Sequence, residues 1–182
     1  MSPSVGRNES VRENYRHLNI RTLLRFLLAI LLGTAAYARP VEHWPYGRLT
    51  READLIVIAT PVSVRDTSER TVFPNLVEGG TDNTRRPVPA IGVEAAFHAL
   101  SVLKGDTNMT TFVFHHLRNA NLSSPTGQFK VLAFNGPVNV AFEPGEKRRF
   151  LLFLKLEPDG RYASVTGQTD PAMGIKDLGS FP

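Results

Sequence analysis

The stretch Glu143–Gly167, EPGEKRRFLLFLKLEPDGRYASVTG, decides the fold. Pro144-Gly145 reads as a turn, Phe150–Leu156 as a dense apolar run, and Pro158-Asp159-Gly160 as a second turn. Proline pre-sets the first turn position and glycine accepts the left-handed one, so Pro-Asp-Gly between two such runs predicts a three-residue hairpin loop. In that register Glu157 faces Arg161, Leu156 faces Tyr162 and Phe153 faces Val165. A slip of one residue would exchange the two faces. Phe150, Leu152, Leu154 and Leu156 fall on one face, Leu151 and Phe153 on the other. A strand apolar on both faces belongs in the covered middle of a barrel or sandwich.

Upstream, residues 1–38 read as a leader rather than as fold. A polar stretch with Arg7, Arg12, Arg16, Arg21 and Arg25 precedes the apolar run Phe26–Ala36, and Ala36-Tyr37-Ala38 is a small-x-small cleavage site. That order predicts a secretory signal peptide cut between Ala38 and Arg39. The competing reading is an uncleaved anchor, but the 13 residues Phe26–Ala38 fall short of the roughly 20 needed to span hydrocarbon. The sequence therefore predicts a secreted or periplasmic protein with no stable membrane insertion after cleavage.

The whole chain carries 21 Lys+Arg against 17 Asp+Glu, of which the leader holds five Arg and two Glu, leaving 16 against 15. Nucleic-acid binding driven by bulk charge loses its support at that balance. Residues 39–182 suit a single domain with its own apolar core. The absence of cysteine excludes disulfides, a thiol nucleophile and a cysteine-ligated metal.

Along that domain, Val41–Arg51 is a lead-in with one expected helical turn through Thr50 and Glu52. Leu55–Val64 is the first strand, with Pro61 marking a bulge or an edge. Arg65–Pro89 reads as a long polar connection, and connections of that length are usually functional or disordered. Ile91–Leu103 is read as a strand despite a helical propensity over Glu94–Leu103. Phe97 and Leu100 differ in parity, which predicts a bulge between them. Thr110–Leu117 is the next strand and Arg118–Gly127 a second polar loop. Phe129–Phe134 and Val138–Phe142 are short apolar runs. Asp170-Pro171 is a helix start signal and Gly179 a stop, predicting a short C-terminal helix.

The order ADLIVIAT (Ala53–Thr60), VEAAFHALSVLKGD (Val93–Asp106) and FEPGEKRRFLLFL (Phe142–Leu154) with its PDGRY return resembles the netrin-like domains related to tissue inhibitors of metalloproteinases. It is also similar to exported bacterial proteins of the same shape. The resemblance covers roughly residues 53–167 and implies an all-β fold, a five-stranded Greek-key OB-like β-barrel with little helix. The family's inhibitors use a mature N-terminal cysteine and disulfides. This chain would begin Arg39-Pro40 without cysteine, so that mechanism does not carry over and no functional residue transfers.

For chemistry, histidine is the sharpest signal. A hairpin centred on the Lys104–Met109 turn would place His98 opposite His115, and two imidazoles near Glu94 or Glu143 could hold zinc or copper. His115 and His116, being adjacent in a strand, point to opposite faces and cannot both join one site. Ser63, Ser101, Ser123, Ser124 and Ser164 lie in no nucleophile-elbow pattern. Phe112 and Phe114, with Arg118 beyond, could stack a ligand or simply fill the core. Arg85-Arg86 and Lys147-Arg148-Arg149 are small basic clusters on turns. The sequence thus predicts a non-catalytic module without cofactor or nucleic acid, meeting a protein or glycan of the cell envelope through residues 65–89 and 118–127. The alternative is a metal-binding or hydrolytic envelope enzyme using His98 and His115.

Overall fold

The computed structural model describes residues 41–79, 85–121 and 136–180, with backbone alone at 78–79. All of them belong to the unit Arg39–Pro182. The leader expected over residues 1–38 and the apolar run 129–134 lie outside the described residues.

One helix and six strands make up the described fold: α1 (Tyr46–Glu52), β1 (Leu55–Gly79), β2 (Arg85–Lys104), β3 (Thr111–Asn119), β4 (Arg148–Leu156), β5 (Tyr162–Ser164) and β6 (Ile175–Ser180). The strands form a single mixed sheet in the order β1-β2-β3-β5-β4-β6, and β1 also pairs with β4. Every pairing is antiparallel except β3 with β5, which meet at Phe114 and Tyr162.

The Pro-Asp-Gly hairpin forms in the expected register. Leu156 pairs with Tyr162 and Leu154 with Ser164. Glu157 N donates to Arg161 O at 2.8 Å and Val165 N to Phe153 O at 3.0 Å, while Gly160 takes the left-handed φ of +87° that the turn requires. Both faces of β4 are covered. Phe150, Leu152 and Leu154 enter the main core with Val57, Phe97, Phe114 and Phe142. Phe153 turns the other way, with Leu49 and Ala53 of α1 and its flank and with Trp44. Leu156, at the strand end, is exposed. The centre of the main core is aromatic. The Phe97 ring stacks on Phe112 and meets Phe114, Phe142 and Phe150 edge-on, with centroids 5.0–6.5 Å apart, the geometry that ring quadrupoles favour.

α1 is short, and its free C-terminal carbonyls are met from outside. Lys104 Nζ, at the end of β2, donates to Thr50 O at 2.9 Å and to Ala53 O at 2.5 Å, placing a cation at the negative end of the helix dipole.

Residues 55–104 depart most from the expected layout. Arg65–Pro89 is not a loop: β1 continues to Gly79 and β2 begins at Arg85, so the two form a long antiparallel ribbon. Backbone pairing sustains a strand here although many side chains are polar, and the ribbon still buries Phe73, Leu76, Val88 and Ala90 with Leu117 in a second apolar cluster. The expected bulges are present. Leu100 is skipped between the pairs Ile58–Ser101 and Ala59–Ala99, and Val62 between Pro61–Phe97 and Ser63–Ala96. The helical alternative for Glu94–Leu103 is absent.

One further expectation is corrected. No C-terminal helix forms: Pro171–Gly174 makes a single 3-10 turn, and Ile175–Ser180 runs as β6 beside β4. A helix that short gains little from its own hydrogen bonds, whereas β6 completes one edge of β4, buries Ile175 and brings Asp177 to Arg148. Gly174 makes this possible, since a Cβ there would sit 2.5 Å from Ser164 Oγ and 3.2 Å from Phe153 O. Val138–Phe142 forms no strand, yet Val138, Val140 and Phe142 are buried in the main core. β6 is therefore a strand beyond the five expected.

Truncating the aromatic centre is expected to be expensive. Phe97→Ala should lose about 3–5 kcal/mol in urea unfolding, against less than about 0.5 kcal/mol for the exposed Val62→Ala. Equal losses would contradict this core.

Candidate functional site

The register of β2 against β3 decides which side chains meet. The pairs run from Ala90–Asn119 to His98–Thr111, so His115 faces Glu94, and His98 is exposed opposite Thr111. The pairing of His98 with His115 is thus corrected. Past Ala99, β2 runs on to Lys104 as a partner of β1 alone, and the register centres the two arms on Lys104-Gly105. The tight turn, with Met109 N on Asp106 O at 3.1 Å, sits on the returning arm. Among the described residues no group of three or more histidine, aspartate or glutamate side chains is arranged to hold a metal ion.

β3 separates its side chains into two settings. Phe112, Phe114 and His116 face inward. Phe112 and Phe114, the candidate stacking pair, are core residues. His116 is fully buried, stacked on Phe114 at 5.4 Å and edge-on to Phe142 at 5.8 Å, with neither ring nitrogen hydrogen-bonded. Burial in this apolar setting pushes its pKa down to about 3; the Leu117 backbone and the Asp66 carboxylate offset that only in part.

Thr111, Val113 and His115 lie on the other face, where His115 is the hub of a polar cluster. Its Nδ1 lies 2.8 Å from Glu157 Oε2, on the β4–β5 turn. Its Nε2 lies 3.0 Å from Glu69 Oε2 of β1, off the line of a hydrogen bond. Arg161 joins the same group, 3.3 Å from Glu94 and 2.7 Å from Asp159. The far side of Glu94 takes Arg65 at 2.5 Å. Ribbon, sheet and turn are therefore tied at one imidazole.

Glu69 reaches His115 because β1 bulges. Between the pairs Asp66–Val93 and Arg70–Ile91, residues 67–69 stand against the single residue Gly92. Thr67 Oγ1 pins the bulge, donating to Gly92 O and accepting from Glu69 N, each at 3.1 Å. A Cβ on Gly92 would lie 2.6 Å from Glu69 Oε2 and 2.7 Å from Thr67 Oγ1, so only glycine fits beneath the bulge. Below it, Arg118 of β3 grips Asp66 with two nitrogens, and that bond holds the Asp66 carboxyl below its usual pKa. Arg118, expected to open a contact loop, is thus a buried strand residue, while residues 122–127 lie outside the described residues.

Beside the cluster, a groove of about 600 Å³ opens between Thr111–Val113, Met109 and the turn residues Asp159–Tyr162. The Tyr162 ring meets Phe112 edge-on at 5.9 Å. Burial raises the Tyr162 pKa, and the Asp54 and Asp106 carboxylates raise it further. A smaller hollow of about 390 Å³ lies between Pro74-Asn75 and Thr166–Asp170. Of the serines weighed as nucleophiles, Ser164 is buried and donates to Pro171 O at 2.9 Å.

No protein-family model matches the chain, and no curated protein matches it in sequence. Among the described residues no helix is long and apolar enough to cross a membrane.

The setting of His116 predicts a pH dependence. Its folded pKa lies below the unfolded value near 6.5, so the neutral buried ring contributes stability that is fully present above about pH 6.5 and is lost as pH falls towards 3. In urea unfolding, His116→Phe should gain on the wild type by about 1.4 kcal/mol for each pH unit below 6.5. Parallel pH profiles for the two proteins would contradict a neutral, buried His116.

Proposed function

We propose that the chain is an exported, non-catalytic binding module on a five-stranded Greek-key OB-like β-barrel, seating its partner in the groove beside the β4–β5 turn. The sequence of pairings supports the barrel reading. β1 meets β2, β2 meets β3, β3 meets β5, β5 meets β4, and β4 returns to β1. In such barrels ligands lie across the second and third strands, between the loops that join strands 1–2 and 4–5.

The observation that carries the functional reading is the groove itself. It lies over the outward face of β2 and β3 under the 4–5 turn, with Ala96, Val113 and Met109 as an apolar floor and Arg161 and Asp159 at its wall. Apolar floors with a few placed polar groups are what binding sites are made of. The β4–β5 turn walls it. Of the contact loops expected over residues 65–89 and 118–127, the first is mostly strand of β1 and β2, and residues 122–127 lie outside the described residues. His98 and His115 do not face each other, which favours a binding module over a metal site built on that pair. The cleavage signal at Ala38 supports export, with a protein or glycan of the cell envelope as partner.

Val113 is half-buried on the outward face, so Val113→Trp should fill the groove without disturbing the core. Immobilised wild-type protein, Val113→Trp and a control Val62→Trp would be compared for the proteins and glycans each retains from envelope extract. Species kept by wild type and control but lost by Val113→Trp are expected. Identical sets, or turnover of generic ester, peptide or glycoside substrates that His115→Phe abolishes, would contradict the proposal. Residues from Arg39 onward should be the N-terminus of the exported protein.

A further inference from the structure

The groove has a second property, carried by the backbone of β3. Ala99 N donates to Thr110 O at 2.9 Å, so Thr110 directs its backbone groups to β2. In an antiparallel ladder this alternates: Phe112 and Phe114 also face β2, while Thr111, Val113, His115 and Leu117 direct theirs to the opposite edge. Most of that edge is satisfied. Gln168 Oε1 accepts from Leu117 N at 3.0 Å, and Gln168 Nε2 donates to His115 O at 3.3 Å, so one side-chain amide stands in for a missing strand. The parallel Phe114–Tyr162 pair uses Val113 C=O and His115 N–H. That leaves Val113 N–H and both backbone groups of Thr111 with no ladder partner among the described residues, and these residues line the groove.

Charge is the second, independent observation. Asp106 is exposed and, among the described residues, joins no ion pair; its Oδ1 accepts the Asn108 amide at 2.9 Å. Its field reaches Tyr162 in the groove, as does that of Asp54. The cation on the groove wall, Arg161, is already engaged by Asp159 and Glu94, and Lys155 is engaged by Asp54. Within the groove lining Arg161 answers Asp159, and Lys104 directs its ammonium to the carbonyls of α1. Asp106, outside the lining but near Tyr162, is therefore the carboxylate beside the open strand edge that no ion pair engages among the described residues.

An extended backbone is the chemical group that complements unpaired strand N–H and C=O, and a cation complements Asp106. We propose that the Thr111–Val113 edge accepts a short extended peptide bearing a lysine or arginine, which pairs as an added strand beside β3 and sets its cation against Asp106. This rests on the groove being the binding seat and names what sits there. About 600 Å³ accommodates a few extended residues, so the peptide contributes a few backbone bonds and one charge contact. Specific side-chain pockets are few.

The test uses the chain with ¹⁵N-labelled backbone and the probe acetyl-Val-Lys-Val-Thr-Val-amide. Saturable shifts of the Thr111 and Val113 amides in the millimolar range or tighter are expected. Methylating the probe's alternate backbone nitrogens, which removes strand pairing but keeps the side chains, should weaken binding at least tenfold. Asp106→Asn, which keeps the acceptor for Asn108, should weaken the lysine probe at least threefold and leave a glutamine-for-lysine probe unchanged. Equal binding of the methylated probe, indifference to Asp106→Asn, or no shift with any peptide overturns the proposal. Oligosaccharide or oligothymidylate probes run in parallel separate the two levels. If one of them shifts these amides while peptides do not, the groove stands as a seat and the peptide falls. If nothing shifts them, both fall.

Discussion

β4 has no free edge and no free face, and the rest of the fold is arranged to make that so. One edge pairs with β1 from Leu55–Leu154 to Ala59–Phe150. The other is shared, β6 taking its first half and β5 its last. One face carries Phe150, Leu152 and Leu154 into the aromatic core, and the other carries Phe153 beneath α1. Fully burying each such side chain contributes about 1.5–3 kcal/mol, and the unpaired backbone of an apolar strand would be costly in the same interior. These two requirements together recruit α1 from the N-terminal side, β6 from the C-terminal side and β1 from the far end of the sheet.

The polar cluster is a consequence of the same frame. Because β4 turns into β5 at Glu157–Arg161, and β5 meets β3 at Phe114, the turn is delivered to the outward face of β3. There His115 meets Glu157, and the bulge over Gly92 brings Glu69 from β1 to its other side. The cluster is thus a clasp among ribbon, sheet and turn. Its carboxylates outnumber its cations, and the groove beside it shares only the paired Asp159 and Arg161. Opposite it, across the thickness of one strand, His116 occupies an apolar site with no hydrogen bond. Adjacent histidines have opposite environments because a strand alternates.

Local chemistry was what the sequence made legible. Pro158-Asp159-Gly160 set a hairpin whose register was correct to the residue, and the parity change between Phe97 and Leu100 marked a real bulge. The strand reading of Glu94–Leu103 also held, since its apolar residues serve a sheet. Where tertiary pairing overrode local signals, the reading failed. Arg65–Gly79 is largely polar without alternation and looks like a loop, yet it pairs with β2 on either side of two irregularities, at 67–69 and 73–76. Asp170-Pro171 has the form of a helix start, but the open edge of β4 captures Ile175–Ser180 as a strand. His98 was set against His115 by centring the hairpin on its tightest turn, whereas β2 leaves β3 past Ala99 to continue beside β1. Glu69 was missed altogether. The one local hint was Gly92, a glycine between Ile91 and Val93 in an apolar strand, which marks a bulge or close approach.

Cross-strand Hα–Hα and amide contacts measured by nuclear magnetic resonance on the labelled chain test this account most directly. The account predicts contacts between Leu55–Ala59 and Phe150–Leu154, and between Glu94 and His115 with none between His98 and His115. Contact of His98 with His115, or a β4 edge left exchanging freely with solvent where β1 should cover it, would contradict both the frame and the site it builds.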